Sequence, residues 1–101
     1  LPITAPYEDG LGEHVYHQYT LLTDQRGAIQ QALTEQKIAS AIYYPVPLHQ
    51  QKVFASIAAG SKFPVTESVS ERCLSLPIYP ELTNTAVDEI CDVIRQVIKA
   101  C

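Results

Sequence analysis

Adjacent tyrosines, two prolines and a histidine fall within one short stretch, Ser40-Ala41-Ile42-Tyr43-Tyr44-Pro45-Val46-Pro47-Leu48-His49-Gln50-Gln51. Pro45 and Pro47 fix φ, remove backbone donors and hold the preceding residues extended, so the stretch predicts an apolar strand opening into a stiff turn. Such a turn positions side chains well. Phenol rings with polar tips, followed by an imidazole, suit a flat, hydroxyl-rich ligand better than a dry core. Successive strand residues face opposite sides, so at least one of Tyr43 and Tyr44 also has packing to do.

Other candidate chemistry is weaker. His14 and His17 would share a face on a helix but diverge on a strand, and no cysteine or carboxylate stands at ligand spacing to complete a metal site. The serines at 40, 56, 61, 68, 70 and 75 lack a nucleophile-elbow context and a predictable base. The glycines are scattered, which excludes a phosphate-cradling loop or dinucleotide fingerprint. Lys52 follows the histidine, but its ordinary surroundings offer nothing to lower its pKa for Schiff-base chemistry. Cys73, Cys91 and Cys101 are odd in number and read as small buried hydrophobes or a frayed terminus, not a disulfide framework.

At 101 residues, with 47% hydrophobic and 18% charged residues, the chain is long and apolar enough for one domain with one core. A formal net charge of -4 and the lack of a Lys/Arg cluster argue against nucleic acid or an anionic membrane as the main partner. Neither a membrane-length apolar run nor a basic-then-apolar leader is present, so a cytoplasmic setting is expected. The chain opens Leu1-Pro2-Ile3 and contains no methionine, which suggests a piece of something longer.

Elements must position the turn. Residues 1–13, rich in proline, glycine and acids, read as a linker or extended arm, and residues 14–101 as the domain proper. The β-branched and aromatic run at 14–23 predicts a first strand. Asp24 is placed to cap a helix over 24–36, with Ile29, Ala32 and Leu33 as its apolar stripe. Lys37 follows, where glycine would be easier. A second strand is expected at 38–44, a short helix over 50–59 closed by Gly60, and another from Pro64 to about Cys73. Leu74, Leu76 and Ile78 alternate with Ser75 and Pro77 as a third strand near a sheet edge. Thr83 or Thr85 caps a final helix whose Val87, Ile90, Cys91, Ile94, Val97 and Ile98 form one apolar face. The order implies an α+β fold: a small, mostly antiparallel sheet with helices mainly on one face. The uncovered face would need a partner. Taken alone, the residues describe a ligand-facing α+β domain without its own catalytic group.

Three segments, His14-Val-Tyr-His-Gln-Tyr19, Ile38-Ala-Ser-Ala-Ile-Tyr-Tyr-Pro-Val-Pro-Leu-His-Gln50 and Leu74-Ser-Leu-Pro-Ile-Tyr-Pro-Glu-Leu-Thr83, together resemble the C-terminal domain of the DegT/DnrJ/EryC1/StrS family of sugar aminotransferases. The resemblance covers nearly the whole chain, in order. It implies the small domain of a fold-type-I pyridoxal 5'-phosphate enzyme that transfers an amino group from glutamate to a nucleotide-linked keto sugar. The Schiff-base lysine and most cofactor contacts would then lie in a large N-terminal domain absent here, leaving no catalytic or cofactor-binding residue on this chain. By the same resemblance the parent is a homodimer, and Tyr43, Tyr44 and His49 contact the nucleotide-sugar substrate. Many members have His-Tyr where this chain has Tyr43-Tyr44, so a hydroxyl replaces an imidazole there. The wording of the turn most resembles members that aminate C3 of a UDP-linked 3-keto-uronic acid. Two other classes stay open on the residues alone: a free-standing ferredoxin-like domain sensing a small metabolite, and a structural interaction module.

Overall fold

The core is built outward from Leu21 and Leu74, which pair across the middle of the sheet and are 2% and 0% exposed. The computed structural model describes residues 2–100; Leu1 and Cys101, the latter expected as a frayed terminus, lie outside the described residues. Strands β1 (Ile3–Thr4), β2 (Tyr19–Thr23) and β3 (Cys73–Leu76) form an antiparallel sheet in the order β1-β2-β3. Residues 3 and 4 of the arm thus pair with Thr23 and Leu22 and supply an edge strand. Helices α1 (Arg26–Glu35) and α3 (Asn84–Ala100) pack together over one face, bringing Ile29, Leu33, Ile90 and Ile94 onto the two leucines. Each such burial contributes ~1.5–3 kcal/mol. Helix α2 (Pro64–Arg72) runs directly into β3. The expected α+β layering is present, with small antiparallel sheet and main helices on one side.

Local chemistry explains the helix ends. Pro64 starts α2, where its missing N–H costs nothing. Thr83 Oγ1 accepts from the Ala86 N–H at 3.1 Å and caps α3. After α1 the chain turns left-handed at Lys37, φ +60°. The Ile38 N–H reaches the Leu33 carbonyl and the Lys37 N–H the Thr34 carbonyl, both at 2.9 Å, a Schellman closure with Ile38 packed on the core.

Several expectations are corrected. Asp24 does not cap α1; it pairs with Arg72 at 2.9 Å, while Thr23 Oγ1 accepts the Gln25 N–H. The first strand is only Tyr19–Thr23, because its ladder partner ends at Leu76 and Pro77 has no N–H to extend it. Upstream, His14 Nδ1 accepts the Tyr16 N–H at 2.9 Å and Tyr16 sits at φ +49°, a local turn that competes with extension. The strand expected at 38–44 is one bridge, Ala41 to Ser75, cut short by the Lys37 turn before it and Pro45 after it. The helix expected over 50–59 is instead a pair of 3₁₀ turns, Leu48–Gln50 and Lys52–Phe54, followed by irregular turns to Gly60. The third strand stops at Leu76, and Val87 of α3 is 40% exposed, whereas Val93, outside the expected stripe, packs on the core. Cys73 is buried and Cys91 half-buried, both as free thiols.

Candidate functional site

The face of the sheet away from α1 and α3 carries Thr20, Leu22, Cys73 and Ser75, as the period-2 alternation of β2 and β3 requires. Thr20 Oγ1 and Ser75 Oγ lie 2.8 Å apart and satisfy each other. Alongside β3, Ala41 exchanges backbone hydrogen bonds with Ser75 at 3.0 and 2.7 Å. That pair sets where the tyrosine turn leaves the sheet: Ile38 and Ile42 pack toward the core, and Tyr43 opens to the other side.

From there the chain forms one wall of a groove of about 540 Å³, and α2 forms the other. Tyr43, Tyr44, Val46 and Leu48 line the turn side, Val65 and Val69 the helix side, and Cys73 the floor. Tyr44 is 73% exposed and Tyr43 47%. Their rings meet edge-on with centroids 5.7 Å apart, the arrangement that the aromatic quadrupole favours. A second hollow of about 480 Å³ shares Tyr43 and adds His17, Gln18, Ser40 and Ser75. Tyr43 therefore stands between the apolar groove and a hollow of mixed lining, where Ala39, Leu76 and Ile78 sit among the polar groups.

His49 does not line either hollow. Its side chain is 9% exposed, its ring meets Phe63 edge-on at 4.7 Å, and its Nε2 lies 3.6 Å from Glu67 Oε1. That separation is longer than a hydrogen bond, so the buried Nε2 has no hydrogen-bond partner among the described residues. Glu67 takes the Gln50 Nε2 donor at 3.0 Å on Oε1 and the Phe63 N–H at 3.0 Å on Oε2. Desolvation pushes its carboxyl up, but the Phe63 N–H, the His49 imidazole and Lys62 outweigh it and hold Glu67 below the ordinary carboxylate range. Glu67 was not singled out from the sequence. The signal was there: Pro64 opens a helix and an acid stands in its first turn.

Pyridoxal phosphate needs an amine for its aldehyde and donors for its phosphate. Lys37, Lys52, Lys62 and Lys99 are all exposed, and neither hollow is lined by a lysine or arginine. Neither hollow by itself fits the cofactor, and what the groove offers is apolar walls, aromatic rings and a few hydroxyls.

Comparison with known proteins agrees with this architecture. The chain is 49% identical over 83 residues to a UDP-N-acetyl-3-dehydro-alpha-D-glucosamine 3-aminotransferase of Acidithiobacillus ferrooxidans, covering 82% of this chain and 22% of that protein. The DesV protein of S. venezuelae, solved in complex with a ketimine intermediate, superposes with a TM-score of 0.88 at 29% identity, over 95% of this chain and 26% of that one. NtdA of Bacillus subtilis, solved with bound cofactor PMP, gives 0.83 at 29% identity, over 97% of this chain and 23% of that one. The chain thus spans about a quarter of the length of the proteins it matches. With residues 1–95 matching the family as a whole, the chain belongs to the DegT/DnrJ/EryC1/StrS aminotransferase family.

Proposed function

We propose that this chain is the sugar-side, C-terminal portion of a pyridoxal-phosphate-dependent aminotransferase that moves an amino group from glutamate to C3 of a UDP-linked 3-keto sugar. The 49% identity to a relative named for that amination carries the reading. The groove supports it, because aromatic faces and hydroxyls are what a sugar ring asks for. An N-acetyl-3-keto-hexosamine fits the name of that relative, and a 3-keto-uronic acid is the narrower variant suggested by the wording of the turn. No helix among the described residues is long and apolar enough to cross a membrane, in keeping with a cytoplasmic enzyme, homodimeric in the parent.

On this reading the cofactor supplies the electron sink and is held by a large N-terminal domain. This chain's part is to hold the sugar nucleotide so that its keto carbon is presented in one orientation, which converts an encounter into a positioned reaction. Tyr43 and Tyr44 meet the substrate at the groove, and His49 serves the same half of the reaction from behind, by keeping the turn against α2.

The test is direct. The parent polypeptide is incubated with glutamate and UDP-N-acetyl-3-dehydro-glucosamine, and products are read by mass spectrometry. An amino sugar and 2-oxoglutarate in equal amounts are expected. Consumption of neither substrate would overturn the reading.

A further inference from the structure

We propose that Glu67 is a positioning residue for the sugar-binding turn. Its carboxylate, reaching from α2 to Gln50 and His49, sets the spacing of the groove's two walls. This rests on the sugar-side reading above for its effect on substrate, and on geometry alone for its effect on the turn.

The two oxygens do different work. Oε2 accepts the N–H of Phe63, the residue before Pro64, and so finishes the start of α2. Oε1 points the other way, to Gln50 Nε2 at 3.0 Å and His49 Nε2 at 3.6 Å. The bridge spans 17 residues of sequence and joins the wall carrying Leu48 to the wall carrying Val65 and Val69. A capping role alone would need only Oε2. The turn has few ties of its own: Gln50 N–H to Pro47 carbonyl at 2.9 Å, Gln51 N–H to Leu48 carbonyl at 3.2 Å, and Gln51 Nε2 to Val46 carbonyl at 3.5 Å. All three lie within the turn, whereas Oε1 ties it to α2. The titratable groups facing Glu67 are His49 from the turn and Lys62 from the segment leading into α2.

The experiment compares E67A, E67Q and Q50A in the parent polypeptide by amide hydrogen exchange and by steady-state kinetics. E67A is expected to speed exchange of the Gln50 and Gln51 amides about tenfold, the change expected of losing one charged hydrogen bond. KM for the UDP-keto-sugar should rise about tenfold, with kcat and the glutamate half-reaction within twofold. In E67Q the remaining oxygen can still accept the Phe63 N–H, but the NH₂ in place of Oε1 meets the Gln50 NH₂ donor to donor. The start of α2 should therefore hold, while exchange of the Gln50 and Gln51 amides and KM move toward the E67A values. Q50A leaves the Phe63 contact intact, so it should free the turn without disturbing residues 63–66, and it decides the matter if E67A does not fold. Unchanged exchange at Gln50 and Gln51 in both E67A and Q50A would overturn the positioning role. Faster exchange with unchanged KM would overturn its link to substrate. Should the wild-type parent aminate no keto sugar, the functional reading fails by itself and the exchange data still judge the brace.

Discussion

Ala41 and Ser75 exchange both of their backbone hydrogen bonds, at 3.0 and 2.7 Å, and among the described residues this pair is the one backbone bridge from the tyrosine turn to the sheet, with the Cys73 thiol on the Tyr43 carbonyl beside it. Ala41→Pro removes the donor and strands the Ser75 carbonyl, which is buried, so a loss of about 1–3 kcal/mol is expected. Denaturant titration of the chain checks it; a midpoint shift without a change in slope is the expected form.

The core itself answers to larger changes. Leu74→Ala empties a site that is 0% exposed and should destabilise by about 2–5 kcal/mol. Val87→Ala, at a position 40% exposed, should stay within about 0.5 kcal/mol. Equal effects of the two would contradict the packing of α1 and α3 over β2 and β3.

Lys37 holds a left-handed conformation at φ +60°. Glycine there escapes the Cβ penalty of roughly 1–2 kcal/mol and gives back part of it as unfolded-state entropy, about 0.4–1 kcal/mol. Lys37→Gly should therefore stabilise by about half to one kcal/mol, read as a Tm rise of a few degrees. A lower Tm would mean that the lysine side chain makes a contact worth more than the backbone strain.

His49→Ala in the parent should lower kcat/KM for the nucleotide sugar roughly ten- to a hundredfold and leave the glutamate half-reaction nearly unchanged. Tyr44→Phe tests the hydroxyl, and Tyr44→Ala the ring as well; a larger loss for alanine indicates stacking. Equal slowing of both half-reactions by His49→Ala would assign the residue to the cofactor side.

The chain alone, mixed with pyridoxal phosphate, should develop no stoichiometric absorbance band beyond that of surface amines and should not transaminate. All of its lysines are exposed and outside the groove. Turnover by the isolated chain would end the reading of it as a sugar-side portion.

The brace through Glu67 also has a pH signature. The carboxylate is held below its ordinary value, so its contribution is complete above that value and is lost as pH falls through the lowered one. The exchange difference between E67A and wild type should persist down through the ordinary carboxylate range and vanish only beneath it. A difference that fades well above the ordinary carboxylate range would contradict the role given to this carboxylate.

Amphipathic patterning was a reliable guide where an element packs on the core by itself. Ile29 and Leu33 of α1, Ile90 and Ile94 of α3, and Pro64 at the head of α2 are where periodicity and end chemistry put them. Lys37 was legible as a position where glycine would be easier, because it stands just past the end of α1, where a left-handed residue closes the helix. Strand lengths were not legible, because a strand ends where its partner ends: Tyr19 marks the start of β2 only because Leu76 is followed by Pro77. The β-rich composition of 14–18 carries no trace of that distant limit. At the site, Tyr43 and Tyr44 were visible by residue type, whereas the link from Gln50 and His49 to Glu67 depends on a fold that brings positions 17 apart into contact.

The passage from α2 to β3 occurs without a loop, at Arg72–Cys73, and Arg26 Nη1 grips the carbonyls of Ser70 and Cys73 at that joint. One bank of the groove is therefore an extension of the sheet and moves only if the core moves. The opposite bank hangs from Ala41 and a handful of polar contacts. Compliance is thus expected on one side: a ligand of larger girth should displace residues 43–51 before it displaces α2. Substitutions that alter which sugar is accepted should accordingly accumulate on the hanging bank and its Glu67 tie, and those elsewhere on α2 should register as changes in stability.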